Sequence, residues 1–186
     1  VDMLLLNQRI WQQLGVDDIA ELHLNSIGSL QDRANYKKAL VGFLQENINA
    51  LDDDSKKRIT SNPMRILDSK NPDTQALLVV APALLAHFSD TSLSRFEQIQ
   101  QLLKDQGLVF TLNPRLVRGL DYYNDTVFEW VSNELGAQGT VCGGGRYDGL
   151  VEQLGGKPTS GFGFGLGSFG GSSFLIVNAA AKNPSV

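Results

Sequence analysis

The chain has 186 residues, 42% hydrophobic and 19% charged, with a formal net charge of −4. This composition fits a soluble globular protein with one sizeable core, or a core plus a smaller unit, and excludes a disordered chain. The negative balance leaves any nucleic acid to be met by a local basic patch, and one cysteine with two histidines excludes both an internal disulfide and a Cys/His zinc cage.

Residues 3–14 carry Leu4, Leu5, Ile10, Trp11 and Leu14 near helical spacing. Asp2 is placed to cap that helix and Gly15 to end it. Residues 20–25 alternate apolar and polar, which predicts a half-buried strand. From Ser29 the pattern changes. Ser29 with Asp32 resembles an N-terminal cap, and Ala34, Leu40, Val41, Phe43, Leu44 and Ile48 continue a long amphipathic helix. Asp52–Asp54 followed by Lys56, Lys57 and Arg58 sets acid before base, as a short helix favours. Asn62-Pro63 and Asn71-Pro72 mark turns or helix starts. Residues 73–88 read as helical with a break at Pro82. Ser94 with Glu97 gives a capping-box pattern before the stripe Phe96, Ile99, Leu102 and Leu103, closed by Gly107. Strand character returns at 108–112 and at 126–131, where Val127, Glu129 and Val131 alternate with Thr126, Phe128 and Trp130. Residues 136–173 hold most of the glycine and read as strands joined by tight turns, with a helix possible at 147–154. This order predicts a helical insertion within a mainly antiparallel sheet, with boundaries at 1–29, 30–107, 108–178 and a tail over 179–186.

Two segments carry the chemistry: Leu-Val-Arg-Gly-Leu-Asp-Tyr-Tyr at 116–123 and Gly-Gly-Gly-Arg-Tyr-Asp-Gly-Leu at 143–150. Arg118 offers a planar fork of donors suited to a carboxylate or phosphate. A salt-bridging surface arginine paired with Asp121 is the plain alternative. Tyr122 and Tyr123 supply phenols that both donate and accept, with one expected to face the core and the other a cavity. Gly143, Gly144 and Gly145 allow close approach of another molecule, or else mark a bulge; Arg146 and Tyr147 tip the reading toward a site. Asp148 is expected to cap a helix. Cys142 reads as a buried, inert thiol, His23 as a packing or surface residue, and His87 as a helix-end residue. The run Gly165-Leu-Gly-Ser-Phe-Gly170 matches a dinucleotide fingerprint by letter only. No strand-then-helix context and no acidic residue about 20 positions on support it, so a nucleotide-dependent oxidoreductase is rejected.

The two segments, in this order, closely resemble the histidine-specific signatures of bacterial-type histidyl-tRNA synthetases. Looser resemblance extends through Leu22–Gly28 and Asn62–Lys70, up to about Leu166. It implies an α+β fold, a class II aminoacyl-tRNA synthetase-like antiparallel sheet flanked by helices, with a mostly helical insertion. It implies activation of histidine with ATP to histidyl-adenylate and transfer to tRNA(His). ATP and Mg2+ are implied as substrate and counter-ion, with no tightly bound cofactor and no protein-held metal. By resemblance, Arg118 is the catalytic arginine on the substrate carboxylate and the ATP α-phosphate. Tyr122, Tyr123 and Tyr147 match the histidine pocket, Gly143 and Gly144 its floor, and residues 30–106 the insertion near the tRNA acceptor arm.

Departures are visible too. Ser168 stands where the family has an arginine for the ATP phosphates, and the stretch from Gly167 does not read as the family's long apolar helix. The first two class II motifs are absent, and Val1 stands where an initiator methionine is expected. A fragment of a homodimeric ligase, inactive alone, is therefore expected, or else a synthetase-like paralogue that binds histidine or a protein partner without charging tRNA. Cysteine usage, the lack of an apolar run of about 20 residues and the lack of a visible signal peptide imply a cytoplasmic protein with no membrane association. Lys37, Lys38, Lys56, Lys57 and Arg58 are weighed as tRNA contacts and read instead as a solvated charge run.

Overall fold

The structure is a computed structural model that describes residues 1–120, 122–132, 139–168 and 171–180, the last stretch and residues 167–168 by backbone only. The chain opens with α1 (Asp2–Leu14), which buries Leu4, Asn7 and Trp11 and ends at Gly15 in the left-handed conformation. Asp2 is the helix's first residue rather than its cap. The strand β1 (Glu21–Ser26) follows. Then come α2 (Leu30–Glu46), α3 (Asp53–Ser61), α4 (Pro72–Leu78) and α5 (Asp90–Asp105), joined through short 3-10 turns. The strand β2 is only Thr111–Leu112, followed by β3 (Asn124–Val131), β4 (Thr140–Arg146), the single turn α6 (Leu150–Gln153), β5 (Gly161–Ser168) and β6 (Gly171–Ala180).

The described strands form one sheet in the order β2-β1-β3-β4-β5-β6. Only the β1–β2 pair is parallel; the rest are antiparallel. This is the α+β sheet expected, interrupted after β1 by helices. The glycine fingerprint does not open a helix: Gly165 lies in β5, and the backbone returns antiparallel as β6. An apolar helix is likewise not formed there. The side chain of Ser168 and residues 181–186 lie outside the described residues.

Side-chain alternation explains why the sheet is covered on one face. Leu22 and Leu24 of β1, Phe128 and Trp130 of β3, Cys142 of β4 and Phe164 of β5 share a core with Leu4 and Trp11 of α1 and Phe96 and Leu103 of α5. Successive strand residues point to opposite faces. The other face therefore carries His23, Glu129, Gly143, Gly163 and Gly165. A second core joins Tyr36, Leu40 and Leu44 of α2, Ile59 of α3 and Ile66 to Leu116, Val117 and Val127. That packing anchors the loop before β3 against the helical segment. The last helix of that segment, α5, packs into the sheet's own core.

Capping residues set the helix starts. Ser29 and Asp32 form a complete capping box at α2, as the sequence predicts. At α5 the predicted start is displaced: Ser89 is the cap, and Ser94 lies inside the helix. The reason is tertiary. Asp32 accepts from Ser89 N at 2.9 Å and from Ser92 Oγ, as well as from Ser29 N at 2.9 Å. One carboxylate thus ties together the first turns of α2 and α5. Burial disfavours its charge, but these donors outweigh it and bring its pKa from 3.8 to about 2. A lowered folded pKa stabilises the fold above the unfolded value and loses that contribution as pH falls toward about 2. Asp32→Asn should cost on the order of 1–2 kcal/mol at neutral pH, with the difference shrinking below pH about 4. Urea melts of both proteins at pH 7 and pH 3 test this; equal gaps at the two pH values would refute it.

Candidate active site

Arg118 lies in the loop between β2 and β3, held there by the buried Leu116 and Val117 beside it. Asn25 Nδ2 donates to Leu116 O at 2.9 Å and fixes the same loop to β1. The guanidinium reaches over the open face of the sheet. Its Nη1 stands 3.1 Å from Glu129 Oε1, and its Nη2 donates to Phe128 O. Its Nε is buried and has no hydrogen-bond acceptor among the described residues. The partner weighed from the sequence, Asp121, lies outside the described residues. Glu129 is the partner found here, a site residue that sequence reading missed. The signal for it was the alternation of β3, which sets Glu129 on the open face opposite Gly143.

Gly143 is required by that arrangement. A Cβ on it would clash with the Arg118 Nη2 and would lie 2.8 Å from Nη1. A Cβ on Gly144 would meet the backbone of β5, with Phe164 Cα at 2.7 Å. The glycines are therefore not a bulge. They pair in register with β3 and β5, between register shifts that lie to either side, one under the arginine and the next against the neighbouring strand.

Tyr122, Tyr123 and Tyr147 come together. The Tyr122 and Tyr123 ring centroids are 4.7 Å apart, and Tyr147 stands edge-on to both at 6.0 and 6.2 Å. One of the two consecutive tyrosines was expected to face the core and the other a cavity; Tyr123 does pack against the second core, but it also shares the hollow with Tyr122. They precede β3 rather than lying in it, so strand alternation does not apply. All three line a hollow of about 360 Å³ with Gly143, Leu150, Gly163, Phe164 and Gly165. Burial, with the Tyr122 hydroxyl bonded beside it, pushes the Tyr123 phenol up to about 12 despite the nearby Arg118 charge. Burial and Tyr122 raise Tyr147 as well. Both stay protonated at neutral pH, able to donate and accept. Gly143 lines the hollow and underlies Arg118, which sets the arginine beside the three tyrosines; Gly144 does not join them, since it faces the helix-covered side against β5.

The other residues singled out have structural surroundings. Asp148 does not cap a helix; its carboxylate takes Arg146 Nε at 2.6 Å and Gly161 N at 3.2 Å. Cys142 is buried with its Sγ 3.7 Å from Asn7 Oδ1, and burial pushes its thiol up to about 12. His23 sits 3.4 Å from Glu21 and lines a second hollow of about 670 Å³ with Lys70, Arg115 and Glu129. His87 packs on the Tyr36 ring. Lys56 and Lys57 pair with Asp53 and Asp54 one turn back along α3, in keeping with a solvated charge run.

A mainly antiparallel sheet, helix-covered on one side and floored by glycine on the other, is the architecture of a class II aminoacyl-tRNA synthetase catalytic domain. Within that class the chain belongs to the histidyl-tRNA synthetase family, whose model matches residues 5–168. It is 57% identical over 166 residues to the histidine–tRNA ligase of Dechloromonas aromatica (strain RCB), across 89% of this chain and 38% of that protein. The apo histidyl-tRNA synthetase of S. aureus superposes with a TM-score of 0.67 at 34% identity, across 88% of this chain and 40% of that one. A histidine–tRNA ligase subunit from Alicyclobacillus acidocaldarius, 21% identical with a TM-score of 0.50, shares the fold. The chain thus spans about two-fifths of the length of the first two of these relatives.

Proposed function

We propose that the chain is part of a histidine–tRNA ligase, contributing the amino-acid pocket and the catalytic arginine. The observation that carries this reading is Arg118 lying over Gly143, at the wall of the hollow that Tyr122, Tyr123 and Tyr147 line. Histidine has two parts to recognise. Its carboxylate suits the planar fork of donors that the guanidinium offers. Its neutral imidazole has one donor and one acceptor, which protonated phenols match. Gly143, on the open face of β4, leaves room for the ligand backbone, whereas Gly144 faces the packed side against β5.

In the proposed reaction, a histidine carboxylate oxygen attacks the α-phosphorus of ATP and pyrophosphate leaves. A ribose hydroxyl of tRNA(His) then takes the histidyl group and AMP leaves. Arg118 neutralises the charge gathering between carboxylate and phosphate in the first step. The donors around this hollow are a guanidinium, phenols and glycine backbone, which suit anions; Mg2+ is proposed as the counter-ion that ATP brings. Residues 30–107 are proposed as the insertion near the tRNA acceptor arm, with the catalytic core on either side. A homodimeric, cytoplasmic parent completes the reading.

Pyrophosphate exchange with the full-length protein that carries this chain tests it. Exchange should depend on histidine, and phenylalanine should support it at least about 10⁴-fold less well, because an apolar edge leaves the half-buried phenols of the hollow unpaired. Exchange indifferent to the amino acid would overturn the proposal.

A further inference from the structure

A run of polar contacts connects the helical segment to the aromatic hollow, and the reaction proposed above makes no use of it. It begins at Arg95 on α5, whose Nη1 donates to Asp125 Oδ2 at 2.9 Å. The Arg95 side chain is 47% exposed and that of Asp125 only 6%. Among the described residues, Asp125 is the one non-glycine with a positive φ, at 50°. That conformation is unfavourable for an L residue and persists only where the surroundings impose it. Here the backbone is clamped to the end of β1: Asp125 N donates to Gly28 O at 2.8 Å, and Ile27 N donates to Asp125 O at 2.7 Å.

The contacts continue through Asn124. Its Nδ2 lies 3.0 Å from Asp125 Oδ2 and 3.3 Å from Asp148 Oδ2, and its Oδ1 accepts from Asp148 N at 2.8 Å. Asp148 in turn holds Arg146 Nε and Gly161 N. Tyr147 stands between Arg146 and Asp148. Its backbone N–H donates to Gly161 O at 2.8 Å, and its ring fills the space where a Cβ on Gly161 would lie. The clamp around Asp148 therefore fixes the backbone and the ring of a residue that lines the hollow.

We propose that Arg95 and Asp125 are positioning residues for Tyr147, so that α5 sets the affinity of the aromatic hollow for its amino acid through Asn124 and Asp148. The inference rests on the reading of that hollow as the histidine pocket. The physical step is a competition for one amide. With Arg95 present, the Asp125 carboxylate has a cation and shares the Asn124 Nδ2 with Asp148. Without Arg95, a buried carboxylate lacks its cation and draws that amide from Asp148, where its bond is already the longer of the two. The turn carrying Tyr147 then loosens. Arg118 stands on a different loop, held by Glu129 and Phe128, and keeps its place.

Pyrophosphate exchange in the full-length protein, comparing wild type with Arg95→Ala, Arg95→Lys and Asp125→Asn, tests the coupling. Arg95→Ala should raise KM for histidine about five- to tenfold, in the range of ordinary coupling energies, and leave kcat and KM for ATP unchanged. Arg95→Lys keeps the cation and should recover most of the loss. Asp125→Asn keeps a residue tolerant of the left-handed conformation but removes the charge, and should fall between them. An unchanged KM for histidine in Arg95→Ala overturns the proposal. So does a joint rise in both KM values with a lowered melting temperature, which marks general loosening. Wild-type protein without histidine-dependent exchange would instead sink the reading of the hollow, and the coupling with it.

Discussion

Replacing Arg118 by alanine in the full-length protein should lower kcat for pyrophosphate exchange by about 10²–10³, the usual effect of removing one preorganised charge donor. The rise in KM for histidine should be smaller. The guanidinium is fixed before any ligand arrives, by Glu129 at 3.1 Å and by the Phe128 carbonyl. A group held in advance spends no reorganisation when charge builds between carboxylate and phosphate. Arg118→Lys should fare little better. One ammonium cannot serve Glu129, Phe128 O and a ligand with the angles of a planar fork. Melting temperature should fall modestly in both variants, since the largely buried pair with Glu129 is lost or weakened while Leu116 and Val117 still hold the loop. An Arg118→Ala protein exchanging pyrophosphate at the wild-type rate would remove Arg118 from the chemistry.

Much of this site was legible in the chain because its parts are local. Arginine, tyrosines and glycines of rare density stand in two short segments, and the family resemblance supplied their joint meaning. The helix starts at Ser29, Asn71 and Asp52 were legible for the same reason, since each cap bonds within three residues of itself. What escaped reading depends on distant partners. Ser89 rather than Ser94 begins α5 because Asp32, far back in the chain, accepts from Ser89 N and Ser92 Oγ. Glu129 looked like one letter in an alternating strand until the Arg118 loop folded over it. Asp148 follows a pattern that suits a cap, yet its acceptors are taken by Arg146 and by Gly161 of the next strand. Tyr122 and Tyr123 were read as strand neighbours, but β3 begins one residue later and leaves both rings on the same side.

Two adjacent glycines should respond to alanine in opposite ways. At Gly143 the new Cβ meets the Arg118 guanidinium, the far end of a flexible side chain. The arginine can swing aside, so stability should change by about 1 kcal/mol or less. It would leave Glu129 and Phe128 O in doing so, and a small misplacement of a reacting group costs about 10²-fold in rate. At Gly144 the Cβ meets Gly163 O and Phe164 Cα, which are strand backbone and cannot turn away. The β4–β5 pairing must open, at a cost of about 3–5 kcal/mol. Denaturant melts and pyrophosphate exchange on both variants separate the two effects. The sharper measurement is Gly143→Ala in an Arg118→Ala background. If the methyl group acts only by displacing the guanidinium, it should add no further loss once that guanidinium is gone. A fully additive loss would mean that Gly143 serves the ligand directly, as open space over β4, and not as the seat of the arginine.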